Sequence, residues 1–211
     1  MSQTLAINTR QQAWLASPKA GVRRIPLERE SAESGHVTSI VEYAPGSHFS
    51  AHTHPLGEEI FVLEGVFSDE HGDYPAGTYI RNPPGSSHQP FSDSGCTLFV
   101  KLNQFHEHDD KQMAILTHER AWLPGQGGLK VKPLHEFEGQ HTALVYWPPG
   151  EQFVPHRHWG GEEIFVLDGE FCDEHGKYPK GTWLRSPHMS QHCPYVNVET
   201  TILVKVGHLP L

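Results

Sequence analysis

The apolar positions fall into short strands. "HVTSIVEYAPG" from His36, "EEIFVLEGVF" from Glu58, "GTYIRNP" from Gly77 and "CTLFVKL" from Cys96 are brief runs rich in β-branched and aromatic residues. Gly, Pro, Asp and Asn bound each run, and no stretch keeps a convincing helical period; the only helical candidates are short, near residues 9–15 and 110–121. Strands spaced by roughly ten residues, with turn signals between them, predict an all-β sandwich or barrel of the jelly-roll group. "DEHGDYPAG" predicts a hairpin with Gly72 in its turn.

The whole pattern is written twice. His52, His54, Glu58 and His88 recur as His156, His158, Glu162 and His192, each 104 residues later and without a gap. "SDEHGDYPAGTYIRNP" matches "CDEHGKYPKGTWLRSP", and "LFVKL" matches "ILVKV". Trp14-Leu15 and Pro26-Leu27 return as Trp122-Leu123 and Pro133-Leu134, so the repeat includes its leading segment. At 211 residues the length allows either one large domain or two of about 100 residues. The duplication chooses two, 1–108 and 109–211, joined in the polar stretch "NQFHEHDDKQ" around residues 103–112.

Composition narrows the function classes. A formal net charge of −9 with no Lys/Arg-rich run argues against a nucleic-acid or anionic-membrane surface, because both require clustered cations. The N-terminus lacks a basic segment followed by an apolar one, and no apolar run is long enough to span a bilayer, so the expectation is a soluble cytoplasmic protein. Cys96, Cys172 and Cys193 cannot all pair within one chain and form no C-x-x-C, which argues against a disulfide framework. Histidine stands out: 17 residues against 16 Lys plus Arg, many at repeated positions, point to metal.

In a strand, residues two apart share a face at roughly 6.5–7 Å, so His52 and His54 can converge on one cation. Pro55-Leu56-Gly57 then breaks the strand, the following acid returns on the next one, and His88 arrives after the turn "NPPGSSH". A lone H-x-H on a strand is ordinarily a solvated decoration; here the set of four occurs twice with identical separations. Three imidazoles and one carboxylate suit Zn, Fe, Mn, Ni or Co and leave positions for water or substrate. Glu58 and Glu59 are adjacent and both duplicated, and polarity does not choose between them.

Residues 46–65 resemble the first cupin motif, in which Gly, His-x-His, Glu and Gly follow at set intervals. That resemblance selects Glu58 and, counted from Gly150, Glu162. Glu59 would then point away, where its loss would be a surface change. Gly77, Pro83-Pro84-Gly85 and His88 resemble the second cupin motif, with Ser92 and Val196 where that motif carries Asn. In the second half Pro187-His188-Met189 replaces Pro-Pro-Gly, which puts the turn in question and makes His188 a further nearby candidate. More closely, "GEEIFVLEGVFSDEHGDYPAGTYIRNPPGSSH" and "GCTLFVKL" resemble the ChrR-type cupin, the domain of a zinc-containing anti-sigma regulator, a group also similar to dioxygenases that cleave diketones and hydroxyacetophenones.

That resemblance implies two tandem cupin domains of the double-stranded β-helix type and two divalent metal ions per chain, Zn foremost, with Fe, Mn or Ni as alternatives. It implies a regulatory or sensing cupin that holds a small ligand or responds to oxidants, as a monomer or homodimer. The sigma-binding module of the regulator, with its own His and Cys ligands, is not expected here, because the first His is His36 and the first Cys is Cys96. The alternative is a non-haem Fe(II) dioxygenase acting on small diketones or hydroxyketones. Away from the ligands, His48 is a candidate partner of the metal histidines, and Arg81 and Arg185 are candidates to meet an anionic ligand or, the preferred expectation, to form surface ion pairs. Phe49, Phe153, Tyr79 and Trp183 are expected in the core, and Cys193 as a small buried residue.

Overall fold

The structure is a computed structural model and describes residues 4–29 and 35–211. The described residues form β-strands and two three-residue 3₁₀ turns, Thr9–Gln11 and Thr117–Glu119, which lie within the two stretches considered for short helices. None of the described residues forms a helix long and apolar enough to cross a membrane.

The chain divides into two compact units, residues 12–119 and residues 120–211 together with 1–11. This division departs from a boundary at 108/109 for a definable reason. Met113–Leu116 pairs antiparallel with Thr78–Asn82 and so belongs to the N-terminal unit, while Leu5–Asn8 pairs with Thr182–Ser186 in the C-terminal unit. The leading segment of each repeat is thus split, its first strand serving one unit and the remainder the other.

In the N-terminal unit the main sheet runs in the order Met113–Leu116, Thr78–Asn82, Glu58–Asp69, Cys96–Leu102, Val37–Tyr43, Val22–Arg29 and Leu15–Ala16. Glu58–Asp69 is long enough to serve two sheets. Its first half pairs with Cys96–Leu102 and Thr78–Asn82, and its second half pairs with Gly72–Pro75 and meets Phe91. The strand bends at a register shift opposite Thr97 and Leu98. Gly65 permits this close approach: a Cβ there would lie 2.1 Å from the carbonyl oxygen of Gly95. Gly169 repeats the device against Glu199 at 2.2 Å, which explains why both histidine motifs end in glycine. The expected hairpin is present, with Asp69 opposite Gly72 and Glu70-His71 at its tip.

The apolar faces of these strands meet inside each unit. Ile60, Val62, Phe67, Leu98 and Val100 centre one core, and Ile164, Val166, Phe171, Leu184 and Ile202 the other. Val62 and Val166 have no accessible surface, and each such side chain contributes about 1.5–3 kcal/mol on burial. Tyr79 and Trp183 are fully buried, and Cys96, Cys172 and Cys193 are all free thiols.

Candidate metal centres

Two-residue ladders assemble the histidines. His52 lies directly across from His88 in the pairing of His52–Thr53 with Ser87–His88, and His156 faces His192 in the same way. His54 closes the group from the loop side: its N–H donates to the Ser86 carbonyl at 2.9 Å, and its own carbonyl accepts the Gly85 N–H at 2.8 Å. The imidazole centroids are 4.8–5.2 Å apart in the N-terminal triad and 4.7–5.1 Å apart in the C-terminal one. Within each triad one nitrogen per ring lies within 4.8 Å of the others, a grouping that could hold a metal ion.

The carboxylate selected by motif spacing joins each triad. Glu58 Oε2 is 3.3 Å from His54 Nε2 and 3.5 Å from His88 Nε2. Glu162 lies 3.5 Å from His158 Nε2 and 3.6 Å from His192 Nε2. Glu59 does point the other way, yet it is not a surface residue. It is 5% exposed and accepts a 2.6 Å hydrogen bond from the Tyr79 hydroxyl. Glu163 accepts from the Trp183 indole N–H at 3.1 Å and contacts His208 Nε2. The sheet face opposite the triads thus carries buried polar side chains among its apolar ones, a feature that strand alternation alone does not announce.

Hydrogen bonds fix which imidazole nitrogen faces inward. The Nδ1 atoms of His52 and His156 each sit 3.0 Å from a backbone carbonyl, of Ser50 and Val154, and a carbonyl can only accept. A neutral ring therefore carries its proton on Nδ1 and turns the Nε2 lone pair to the centre. His88 Nδ1 meets Asp69 Oδ2 at 3.2 Å, with the same consequence. Two further acids position the ladder: Glu70 accepts the Gln89 N–H at 2.8 Å and Glu174 the Cys193 N–H at 2.7 Å, each just beyond a triad histidine.

Burial dominates the electrostatics. It lowers His54, His158 and His192 to about 4, assisted by neighbouring imidazoles. It also raises the Glu58 carboxyl and pushes Glu162 up to about 8, the latter with help from the charge of Asp173. Asn82 donates to Glu58 Oε2 at 3.0 Å and favours its charged form; the equivalent position in the second half is Ser186. A divalent cation answers this arrangement. His54 Nε2, His88 Nε2 and Glu162 Oε2 are buried without a hydrogen-bond partner among the described residues, and all three atoms face the centre of their group. Neutral imidazoles with lone pairs turned inward beside a carboxyl are a fitting donor set.

The model of the ChrR cupin-like domain matches the sequence twice, over residues 2–106 and 110–211. The chain belongs to the ChrR cupin-like family. A candidate dioxygenase from Nostoc punctiforme shares the fold with a TM-score of 0.80 at 16% identity, over 97% of this chain and 82% of that one. A candidate glyoxylate-induced protein from Pseudomonas aeruginosa gives 0.77 at 13% identity, over 100% and 91% of the two chains. A bacterial pirin from Escherichia coli, solved in complex with nickel(II), gives 0.73 at 13% identity and 99% coverage of both. At such identities these likenesses concern the fold. No curated protein matches the chain significantly.

Several other sequence expectations land elsewhere. His48 stacks on Phe91 and is not among the residues around the triad. His188 is not a member of the second triad; its Nδ1 accepts the Gly160 N–H at 2.9 Å and its ring meets Trp159. Met189 keeps the turn that glycine makes in the first half, with φ of 60° against 82° at Gly85. Arg81 is paired, but the pair is internal: its guanidinium binds Asp109 at 2.5 Å and lies over the Phe105 ring with 2% exposure. Phe49 and Phe153 pack against the core and also line the cavities over the triads. Asp69 and Asn82 escaped sequence reasoning. The repetition of Asp69-Glu70-His71 as Asp173-Glu174-His175 was the signal available for the first.

Proposed function

We propose that this protein is a metal-dependent, ligand-holding cupin of the regulatory ChrR kind. Each half would carry one divalent ion, zinc foremost, on three imidazoles and one carboxylate: His52, His54, Glu58 and His88 in the first, and His156, His158, Glu162 and His192 in the second. The observation that carries this reading is a cavity of about 330 Å³ in the N-terminal unit, whose wall includes all four candidate ligands together with apolar side chains such as Val41, Phe49, Ile60 and Leu98. That volume lies at the lower end of small-ligand sites, about 300–1,000 Å³. The corresponding C-terminal cavity is about 180 Å³, and Trp147 and Leu129 stand where the first has Tyr43 and Val22. The N-terminal half is thus the ligand-holding one.

A bound divalent ion supplies Lewis acidity to a chelating oxygen ligand. The chain's own residues do the rest. The carbonyls of Ser50 and Val154 and the carboxylate of Asp69 hold the imidazole protons outward, Glu58 balances the cation, and the apolar wall excludes water from the bound molecule. A second reading, an Fe(II) dioxygenase for small diketones, draws on the same cavity and on the fold shared with the Nostoc punctiforme protein. Reconstitution separates them. The ligand-holding reading expects zinc to raise thermal stability and the iron form to consume no O₂ with small diketones or hydroxyketones. Substrate-dependent O₂ uptake by the iron form, lost in His52→Ala, would establish the enzyme instead.

A further inference from the structure

The duplication supplies an internal control for what the N-terminal cavity is built to hold. Both halves keep the four candidate metal ligands, but among the differences between them are two positions that strand register makes equivalent. Arg24 pairs with Val41, whereas Val131 occupies its place opposite Val145. Ser39 pairs with Val100, whereas Ala143 occupies its place opposite Val204. Arg24 and Ser39 both line the N-terminal cavity, and no cationic side chain or hydroxyl lines the C-terminal one.

The two groups are placed as a receptor would place them. Ser39 is 3% exposed, and its Oγ has no hydrogen-bond partner among the described residues. A buried, unpaired hydroxyl in a native core calls for a reason, and an absent ligand is one. Arg24 is half-buried, and its guanidinium is anchored at the cavity wall by donating to Ser17 Oγ at 2.6 Å. Arg29, exposed, adds a second cation to the same lining. The acid in the lining is Glu58, which stands with the imidazoles. The cavity therefore has a metal-ligand group and, elsewhere on its wall, a cationic, hydroxyl-bearing patch, with apolar side chains making up most of the rest. A planar guanidinium and a hydroxyl lining one cavity suit a carboxylate.

Resting on the ligand-holding reading above, we propose that the N-terminal cavity binds a small oxo acid, whose carbonyl oxygens meet the metal while its carboxylate meets Arg24 and Ser39. The C-terminal half, where Val131 and Ala143 occupy the equivalent strand positions, has no such selectivity.

Calorimetry on the zinc-loaded full chain tests this, with His156→Ala silencing the second site and with succinylacetone and its methyl ester as probes. Both probes carry the same diketone, and only the acid is charged. The acid is expected to bind about ten- to hundredfold more tightly, the factor a charged hydrogen bond commonly contributes. Arg24→Gln should abolish that preference with zinc content unchanged, and Arg24→Lys should retain part of it. If Arg24→Gln loses its zinc, Ser39→Ala carries the test: selective weakening of the acid supports the assignment, and equal weakening of both probes contradicts it. Equal affinity for acid and ester, or a preference that survives Arg24→Gln, overturns the anion assignment and leaves the ligand-holding reading intact. Binding of neither probe to zinc-filled protein overturns that reading itself.

Discussion

Asp69→Asn isolates a single proton in the N-terminal centre. Asp69 Oδ1 accepts the His71 N–H at 2.8 Å and the Tyr74 hydroxyl at 3.1 Å, while Oδ2 faces His88 Nδ1 at 3.2 Å. An asparagine can keep its carbonyl oxygen on the first two donors, and its amide then presents N–H groups to His88. The imidazole responds by accepting at Nδ1, which moves its proton to Nε2 and covers the lone pair that faces the candidate metal. Outer partners of this kind are worth about 10- to 100-fold in metal affinity, or about 1.4–2.7 kcal/mol. Competition with a chromophoric zinc chelator, in a His156→Ala background so that only the first site reports, measures the change. Affinity unchanged in Asp69→Asn, or equal losses at both sites when the background is wild type, would show that His88 is not oriented by Asp69.

Glu59→Ala should cost about 1–3 kcal/mol, because it removes the acceptor of the buried Tyr79 O–H, yet leave metal content intact, whereas Glu58→Ala should lower first-site occupancy; urea denaturation and metal quantification on both variants decide, and equal metal loss would reverse the assignment of the two acids. Met189→Gly should stabilise the fold by about 0.5–1 kcal/mol, since the left-handed φ of 60° strains any side chain; a lower denaturation midpoint in the variant would contradict this. In the metal-free protein the Glu162 carboxyl is pushed up to about 8 from 4.5, so its neutral form supports the fold at low pH and that contribution disappears as pH rises through about 8. Zinc requires the carboxylate, so loading the second site near pH 6 in a His52→Ala chain should release about one proton, while His158 and His192, lowered to about 4, release none. Release that does not diminish above about pH 9, or that persists in Glu162→Gln, would locate the proton elsewhere.

The repeat and the all-β architecture were legible because both rest on local pattern: alternation within runs, glycines at turns and a constant offset. The choice of Glu58 came from family-like spacing, and the structure brings that carboxylate, with His52, His54 and His88, into one group. What stayed hidden depends on distant partners. Glu59 and Arg81 have the polarity of surface residues, and only tertiary contacts with Tyr79 and Asp109 bury them. The partner of Met113–Leu116 stayed hidden because that strand pairs backwards along the chain with Thr78–Asn82, a choice that composition does not encode. Met189 shows the converse: the loop held its course although the residue that best fits it had been replaced, because the Met189 N–H still donates to the His158 carbonyl at 3.0 Å.

Metal quantification addresses the central claim most directly. Protein purified without chelators, or stripped and reloaded with zinc, should contain close to two ions per chain, because a histidine triad with an adjoining carboxylate occurs in both halves. His54→Ala and His158→Ala should each retain one ion, and the double variant none. A wild-type value near one or zero after reloading, or two ions retained by either single variant, would contradict the assignment of one metal centre to each half.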